Sequence, residues 1–283
     1  MPNVLNLISM NKLYSVQQAR SNLPTRKKRD NKTRGGKCLI VAGSAGQWGA
    51  GILCARAAAR CGAGYVYLYD PKSKFPSLRN PDFLTVKNFK NLHEFNAVAI
   101  GPGFHDSRII LLLLRRLIRF PKINVVLDAE ALNTLAKTPN KIQLPAHWIL
   151  TPHEGELSRL IKTSSHKIKL DRHKYAELAQ KLWGTIIVLK GFKTLVVENR
   201  ILWEIPTGNP ALAKAGTGDV LTGMITAFLS QNLPPRKAAC LAAFIHGLSA
   251  DRWISSNKDQ LSLLATDVIE SLPKTLSELR KIK

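Results

Sequence analysis

Short apolar runs alternate along this chain with stretches whose apolar positions recur at helical spacing. Most of the runs at 38–42, 65–69, 97–100, 124–127, 148–150 and 185–189 are continuously apolar, as expected of strands buried on both faces of a sheet. Helical patterns fill 50–60, 107–120, 130–136, 154–161 and 171–183. Strand and helix in alternation predict a parallel sheet wrapped by helices on both faces. The rhythm then changes. Segments 194–198 and 201–205 are separated only by Asn199-Arg200, which reads as a two-residue hairpin beside the parallel sheet. Ala-rich helices are expected at 217–231 and 235–253, divided by Pro234-Pro235, and a polar stretch at 255–260 leads into a final short helix. No repeat, low-complexity tract or compositional shift marks a boundary, so residues 1–283 read as a single α/β domain with a basic lead-in at 1–34.

Composition narrows the choice of partners. With 45% hydrophobic residues the chain is an ordinary globular sequence, which excludes disorder throughout. Lys and Arg number 42 against 19 Asp and Glu, a formal charge of +23 that favours anionic partners such as nucleotides and phosphorylated cofactors. The densest basic run, residues 26–34, reads as a solvated segment. Aromatic–basic interleaving of the RNA-binding kind and zinc-finger spacing are both lacking, so specific nucleic-acid binding is not expected. Cys38, Cys54, Cys61 and Cys240 form no CxxC pair and sit in apolar or Ala-rich stretches, the pattern of buried free thiols in a reducing cytoplasm. The apolar stretch at 4–8 is too short for a secretory signal, and no run approaches a membrane span of about 20 residues.

The sharpest chemical signal is Gly216-Thr217-Gly218-Asp219, opening the expected helix at 217–231. Glycines there let bare N–H groups approach an anion, and the positive helix end makes an anion hole from Gly216, Thr217 and Gly218. A carboxylate in the first turn is not attractive to that anion. Its chemical use is to accept a proton from a hydroxyl that attacks phosphorus, which makes Asp219 the candidate catalytic base. The competing reading is an ordinary helix cap, with Thr217 and Asp219 satisfying backbone donors.

Other candidates follow expected strands. A Gly-rich turn, Gly43-Ser44-Ala45-Gly46 with Gly49-Ala50-Gly51, lets backbone approach a ligand or packs a helix tightly; it is neither a P-loop nor GxGxxG. Gly101-Pro102-Gly103, Asp128 and Thr151-Pro152-His153-Glu154-Gly155-Glu156 stand where open α/β sheets bind ligands. Asp128 could orient a Mg²⁺-bound water or cap the next helix. His153 on pattern alone is a structural histidine, Glu156 a helix cap, and His246 a core histidine. Lys190-Gly191 offers a cation and close backbone approach to phosphates, or else a solvated hairpin corner.

The stretch GNPALAKAGTGDVLTGMITAF at 208–228 closely resembles the C-terminal motif of ADP-dependent (S)-NAD(P)H-hydrate dehydratases of the ribokinase-like superfamily. VAGSAGQWGAGILCARAAARCGAG at 41–64, AIGPG at 99–103, LDAEAL at 127–132, LTPHEGE at 150–156 and VLKG at 188–191 extend the match in order, over about residues 23–250. The resemblance implies a ribokinase-like fold: a central, mostly parallel sheet flanked by helices on both faces, with an added hairpin. It implies a lyase that restores NAD(P)H from the S form of its hydrate, with ADP (or ATP) as co-substrate and Mg²⁺ not held directly by protein. By the same resemblance Ala50, Gly103, His153 and Asp219 contact the hydrate, and Lys190, Gly191, Phe192, Lys193, Thr194 and Gly218 contact the nucleotide. Asn209 and Asp128 support the site. A cytoplasmic homotetramer is implied as well. Two departures stand out: Glu154 where the family usually has Pro, and Ala215 where it has a third Gly. Glu154 is expected to place an extra negative charge near the phosphorylated substrate. The length leaves no room for the epimerase domain of many bacterial relatives. The alternative on the same fold is a kinase acting on a vitamin or sugar hydroxyl.

Overall fold

The computed structural model describes residues 10–71, 82–138 and 142–282; the apolar stretch at 4–8 lies outside them. Among these residues one mixed sheet carries ten strands: β1 (Met10–Leu13), β2 (Lys37–Val41), β3 (Tyr65–Tyr69), β4 (Leu84–Val86), β5 (Ala97–Ile100), β6 (Asn124–Leu127), β7 (Ile149–Leu150), β8 (Ile186–Leu189), β9 (Leu195–Glu198) and β10 (Ile201–Glu204). Their spatial order is β1-β10-β9-β8-β7-β6-β5-β2-β3-β4, and only the pairs made by β9 are antiparallel. The hairpin expected beside the sheet therefore extends it, β9 pairing directly with β8. Its turn is made by Asn199 and Arg200, both with positive φ (48° and 63°), the backbone that a tight two-residue hairpin requires.

Among the described residues ten helices accompany the strands: α1 (Val16–Asn22), α2 (Trp48–Arg60), α3 (Ser107–Leu117), α4 (Glu130–Lys137), α5 (Glu154–Leu160), α6 (Ser165–Leu170), α7 (Arg172–Trp183), α8 (Thr217–Ser230), α9 (Pro235–Ser255) and α10 (Ala265–Lys281). The final helix is thus not short; it runs through Pro273, which lies on an exposed face. The pleat sorts each strand between two cores. Cys38, Ile40, Ala97 and Ala99 face the core shared with α1, α2, α8, α9 and α10, while Leu39, Val41, Val98 and Ile100 face α3 to α7. Small residues on the first face let backbone come close. A Cβ placed on Gly223 would lie 2.1 Å from the Cys54 carbonyl oxygen, so α8 packs directly against α2. Nearly all of α8 beyond its first turn is buried, and its polar residues are satisfied internally: Thr226 donates to Thr222 O (2.7 Å) and Ser230 to Gly35 O (3.0 Å). That packing fixes the amino end of α8 at the carboxyl edge of the sheet.

The basic segment 26–34 is exposed apart from Asp30 and contains a short 3-10 turn (Lys32–Gly35). All four cysteines are buried free thiols. Among the described residues no helix is long and apolar enough to cross a membrane.

Candidate active site

The motif turns all leave the carboxyl ends of neighbouring parallel strands, β2, β5, β6, β7 and β8, and meet the amino end of α8. Gly216 takes φ +91° as the residue before that helix, and no side chain caps it. Thr217 Oγ1 donates instead to the Leu212 and Lys214 carbonyls (2.8 and 2.9 Å). The capping explanation of this motif is therefore not what the side chains do: the Gly218 and Asp219 amides have no side-chain acceptor, and the helix end is left with positive potential. His246 is buried, and burial pushes its pKa down to about 4. It is neutral at pH 7, so the 2.9 Å contact of Nε2 with the Thr217 carbonyl oxygen is a donated hydrogen bond that steadies this first turn.

Beside the helix end lies a buried charge cluster. Lys190 Nζ donates to Asp128 Oδ1 at 2.6 Å and stands 3.6 Å from Glu156 Oε2. Asp128 is 1% exposed, and its Oδ2 accepts from Thr222 Oγ1 at 2.7 Å. Burial alone would lower Lys190, but Asp128, Glu156 and Asp219 outweigh it and raise its pKa, so it carries its proton. The same environment acts in the opposite sense on Asp219. Desolvation, with Asp128 and Glu156 adding repulsion and Lys190 opposing, raises its carboxyl from 3.8 to about 7. A Cβ on Gly218 would lie 3.6 Å from Lys190 Nζ, so this ammonium sits directly against the helix end. The arrangement puts an uncapped helix terminus, a lysine cation and a carboxylate poised near neutrality in one place.

Asp128 does not cap the helix that follows it. Both carboxylate oxygens are engaged, and helix α4 begins after Ala129 with no side-chain cap. It is the anchor that holds Lys190. Among the described residues no group of three or more His, Cys, Asp or Glu is arranged to hold a metal ion. Mg²⁺ is ordinarily held by nucleotide phosphates with one or two carboxylates, and Asp128 and Asp219 are carboxylates that a divalent cation arriving with a nucleotide would meet beside Lys190.

A second group of loops leaves the same edge of the sheet, after β2 and β5. Gly43 N donates to the Pro102 carbonyl (2.8 Å) and His105 N to Ser44 Oγ (3.1 Å), tying the two Gly-rich turns together. Ala50 and Gly103 consequently meet: a Cβ on Gly103, which has φ +59°, would lie 2.9 Å from the Ala50 Cβ. Gly101 is constrained more severely, since with φ +123° a Cβ there would sit 1.9 Å from the Asp128 carbonyl oxygen. Gly101→Ala is expected to disturb Asp128 and to lower the melting temperature by several degrees, a loss of about 1–3 kcal/mol; wild-type melting would show that this turn tolerates the side chain. His153 caps α5: Nδ1 accepts from Gly155 N (3.0 Å) and Glu156 N (3.4 Å), while Glu156 Oε2 accepts from His153 N (2.8 Å). Its ring remains half exposed, with Nε2 3.5 Å from Glu156 Oε1. Glu156, expected only as a cap, is therefore shared between the cap and Lys190.

The loop after β8 lines a cavity of about 390 Å³ with Lys190, Gly191, Phe192 and Thr194, closed on its other side by Asn209, Leu212, Gly218 and His246 among others. Phe192 is 72% exposed. Lys193 does not line this cavity; its Nζ pairs with Glu204 Oε1 at 3.0 Å. Asn209 reaches Asp251, which accepts from Asn209 Nδ2 and from Gly208 N, each at 2.9 Å. Glu154 does not point a bare charge at the site: its Oε1 is 3.2 Å from Arg172 Nε. Sequence reasoning missed Thr222 and Arg172. Thr222 lies on a helix buried all round, and Arg172 opens a helix with no motif around it; neither position carries a local signal.

The family model described as NAD(P)H-hydrate dehydratase matches residues 38–274. The ADP-dependent (S)-NAD(P)H-hydrate dehydratase of Neisseria meningitidis is 34% identical over 82% of this chain and 82% of its own length. The chain spans about half the length of other curated relatives, bifunctional NAD(P)H-hydrate repair enzymes (48–54% of each). A crystal structure of the ADP/ATP-dependent NAD(P)H-hydrate dehydratase of Bacillus subtilis, co-crystallised with ATP/Mg²⁺, matches with a TM-score of 0.85 and 29% identity over 95% of this chain and 98% of that one. A ribokinase-like protein of Enterococcus faecalis, 22% identical, has the same fold (TM-score 0.85, 96% of this chain, 97% of that one). With the matched model spanning every motif turn around Asp219, the chain belongs to the NAD(P)H-hydrate dehydratase family.

Proposed function

We propose that this protein restores NAD(P)H from the S form of its hydrate, using a nucleotide to turn a ring hydroxyl into a leaving group. The observation that carries the reading is Asp219, raised to about 7 beside the uncapped end of α8. A base poised near the working pH accepts a proton most effectively, and helix amides next to it stabilise charge that develops on a transferring phosphate. The nucleotide lies in the cavity of about 390 Å³, its terminal phosphate at the Gly216–Asp219 turn and near Lys190. Mg²⁺ arriving with the co-substrate would neutralise part of the phosphate charge. The hydrate occupies the Ala50, Gly103 and His153 side. Asp219 takes the proton of the hydrate hydroxyl as its oxygen attacks phosphorus, and the bond from phosphorus to the nucleotide breaks. Phosphate then departs with the former hydroxyl oxygen, and loss of a proton from the adjacent ring carbon restores the double bond. ADP as donor leaves AMP. The charge of +23 helps collect two polyanionic ligands, and the four buried free thiols suit a reducing cytoplasm.

The test is a hydrate-recovery assay with ADP and ATP side by side. Reduced-nicotinamide absorbance is expected to return only when nucleotide is present, with one phosphate released per NAD(P)H formed. Stable phosphorylation of a vitamin or sugar alcohol, with no recovery of NAD(P)H, would replace this reading with the kinase alternative.

A further inference from the structure

We propose that Arg172 and Glu154 form a positioning pair that shapes the loop Lys190–Lys193 for the nucleotide. Arg172, the first residue of α7, reaches back beneath the loop. Its Nη2 donates to the Leu189 and Lys190 carbonyls, both at 3.2 Å, and its Nη1 to the Phe192 carbonyl and, at 3.3 Å, to that of Lys193. Four carbonyls within five consecutive residues thus converge on one planar, pre-organised fork, a task that a lysine point charge cannot reproduce. A trans peptide sets its N–H opposite its C=O. With the carbonyls drawn to Arg172, the amides of Gly191, Lys193 and Thr194 are turned away from it. Gly191 has to be glycine for the fork to fit: its φ is +142°, and a Cβ there would lie 2.8 Å from Arg172 Nη2.

Glu154 completes the pair. Its Oε1 lies 3.2 Å from Arg172 Nε, an ion pair without hydrogen-bond geometry, and the Arg172 side chain is only 16% exposed, so the carboxylate is the close counter-charge of a largely buried cation. Glu204, which also binds Lys193 and lies near His173, supports it from the hairpin side. The residue that departs from the family's usual Pro is therefore spent on orienting an arginine, and repulsion of phosphate is not its main effect. This inference rests on residues 190–194 being the nucleotide loop.

Two readouts separate the inference from that reading. Amide exchange of residues 190–194 is measured in the free protein, and ADP is titrated with Mg²⁺ by calorimetry. Arg172→Gln is expected to speed loop exchange and to weaken ADP about 10–100-fold, with the melting temperature of the rest of the molecule little changed. Arg172→Lys should recover only part of the affinity. Glu154→Gln should weaken ADP in the same direction, about 3–10-fold, and add little once Arg172 is already Gln. The sign decides: tighter ADP binding in Glu154→Gln would mean that Glu154 acts by repelling phosphate and would overturn the pair. Unchanged loop exchange in Arg172→Gln would overturn it independently of any dehydratase activity. A loosened loop with unaltered ADP affinity would remove the nucleotide from residues 190–194 and with it the role assigned here.

Discussion

Replacing Asp219 by Ala is expected to lower turnover in the hydrate-recovery assay by about 10²–10⁴-fold while ADP and the hydrate still bind. The base is lost; the helix amides and Lys190 that hold phosphate are not. Near-wild-type turnover would remove Asp219 from the mechanism. Two pH effects accompany it. Because Asp219 must be ionised to accept a proton, kcat/KM of the wild type should rise with pH and level off above an apparent value close to 7, the value in the free protein. Stability should run the other way. The folded carboxyl titrates near 7 and the unfolded one near 3.8, so between these values the folded state holds a proton that the unfolded chain has released. Folding stability therefore falls as pH rises through that window and is flat above it. Asp219→Asn abolishes this penalty, with a gain on the order of 1–3 kcal/mol at pH 8 and almost none at pH 4. Urea unfolding of the two proteins at both pH values measures it, and equal differences at pH 4 and 8 would contradict the burial argument.

Lys190→Met should be the most damaging single change outside the base. It removes the ammonium that Asp128 and Glu156 share and leaves two buried carboxylates without it. Breaking a buried pair in this way typically costs about 3–5 kcal/mol. Asp219 also loses the one charge that lowers its pKa, so any residual activity should shift to higher pH. Pairing Lys190→Met with Asp128→Asn takes away one of the two orphaned charges and should restore part of the stability. Activity should not return, because no cation then faces the phosphate. If the double variant regained turnover, Lys190 would be a scaffold for Asp128 and nothing more.

The elements written most plainly in the chain are the central strands. The runs at 65–69, 97–100 and 124–127 coincide with β3, β5 and β6; 97–100 is apolar throughout because that strand is covered on both faces. The hairpin was legible from Asn199-Arg200, although not its place within the main sheet. What escaped notice lies at the margins. Strand β1 is an edge strand with every residue exposed, and β4 has three residues, so neither offers an apolar run. Helix α6 has only six residues. The length of α10 was hidden by Pro273, which reads as a helix stop unless one knows that the position faces solvent.

The site divides in the same way. Glycine at 216 and 218 ahead of a helical pattern, and an acid at 219, were enough to predict an anion site with a base, because helix termini and backbone freedom are local properties of a few consecutive residues. The pKa of Asp219, the hold of Thr222 and Lys190 on Asp128 across 94 and 62 positions, and the neutralisation of Glu154 by Arg172 were decided by the tertiary structure. Electrostatic character depends on burial and on distances between side chains delivered by different strands, and those quantities exist only once the sheet has brought its loops to one edge.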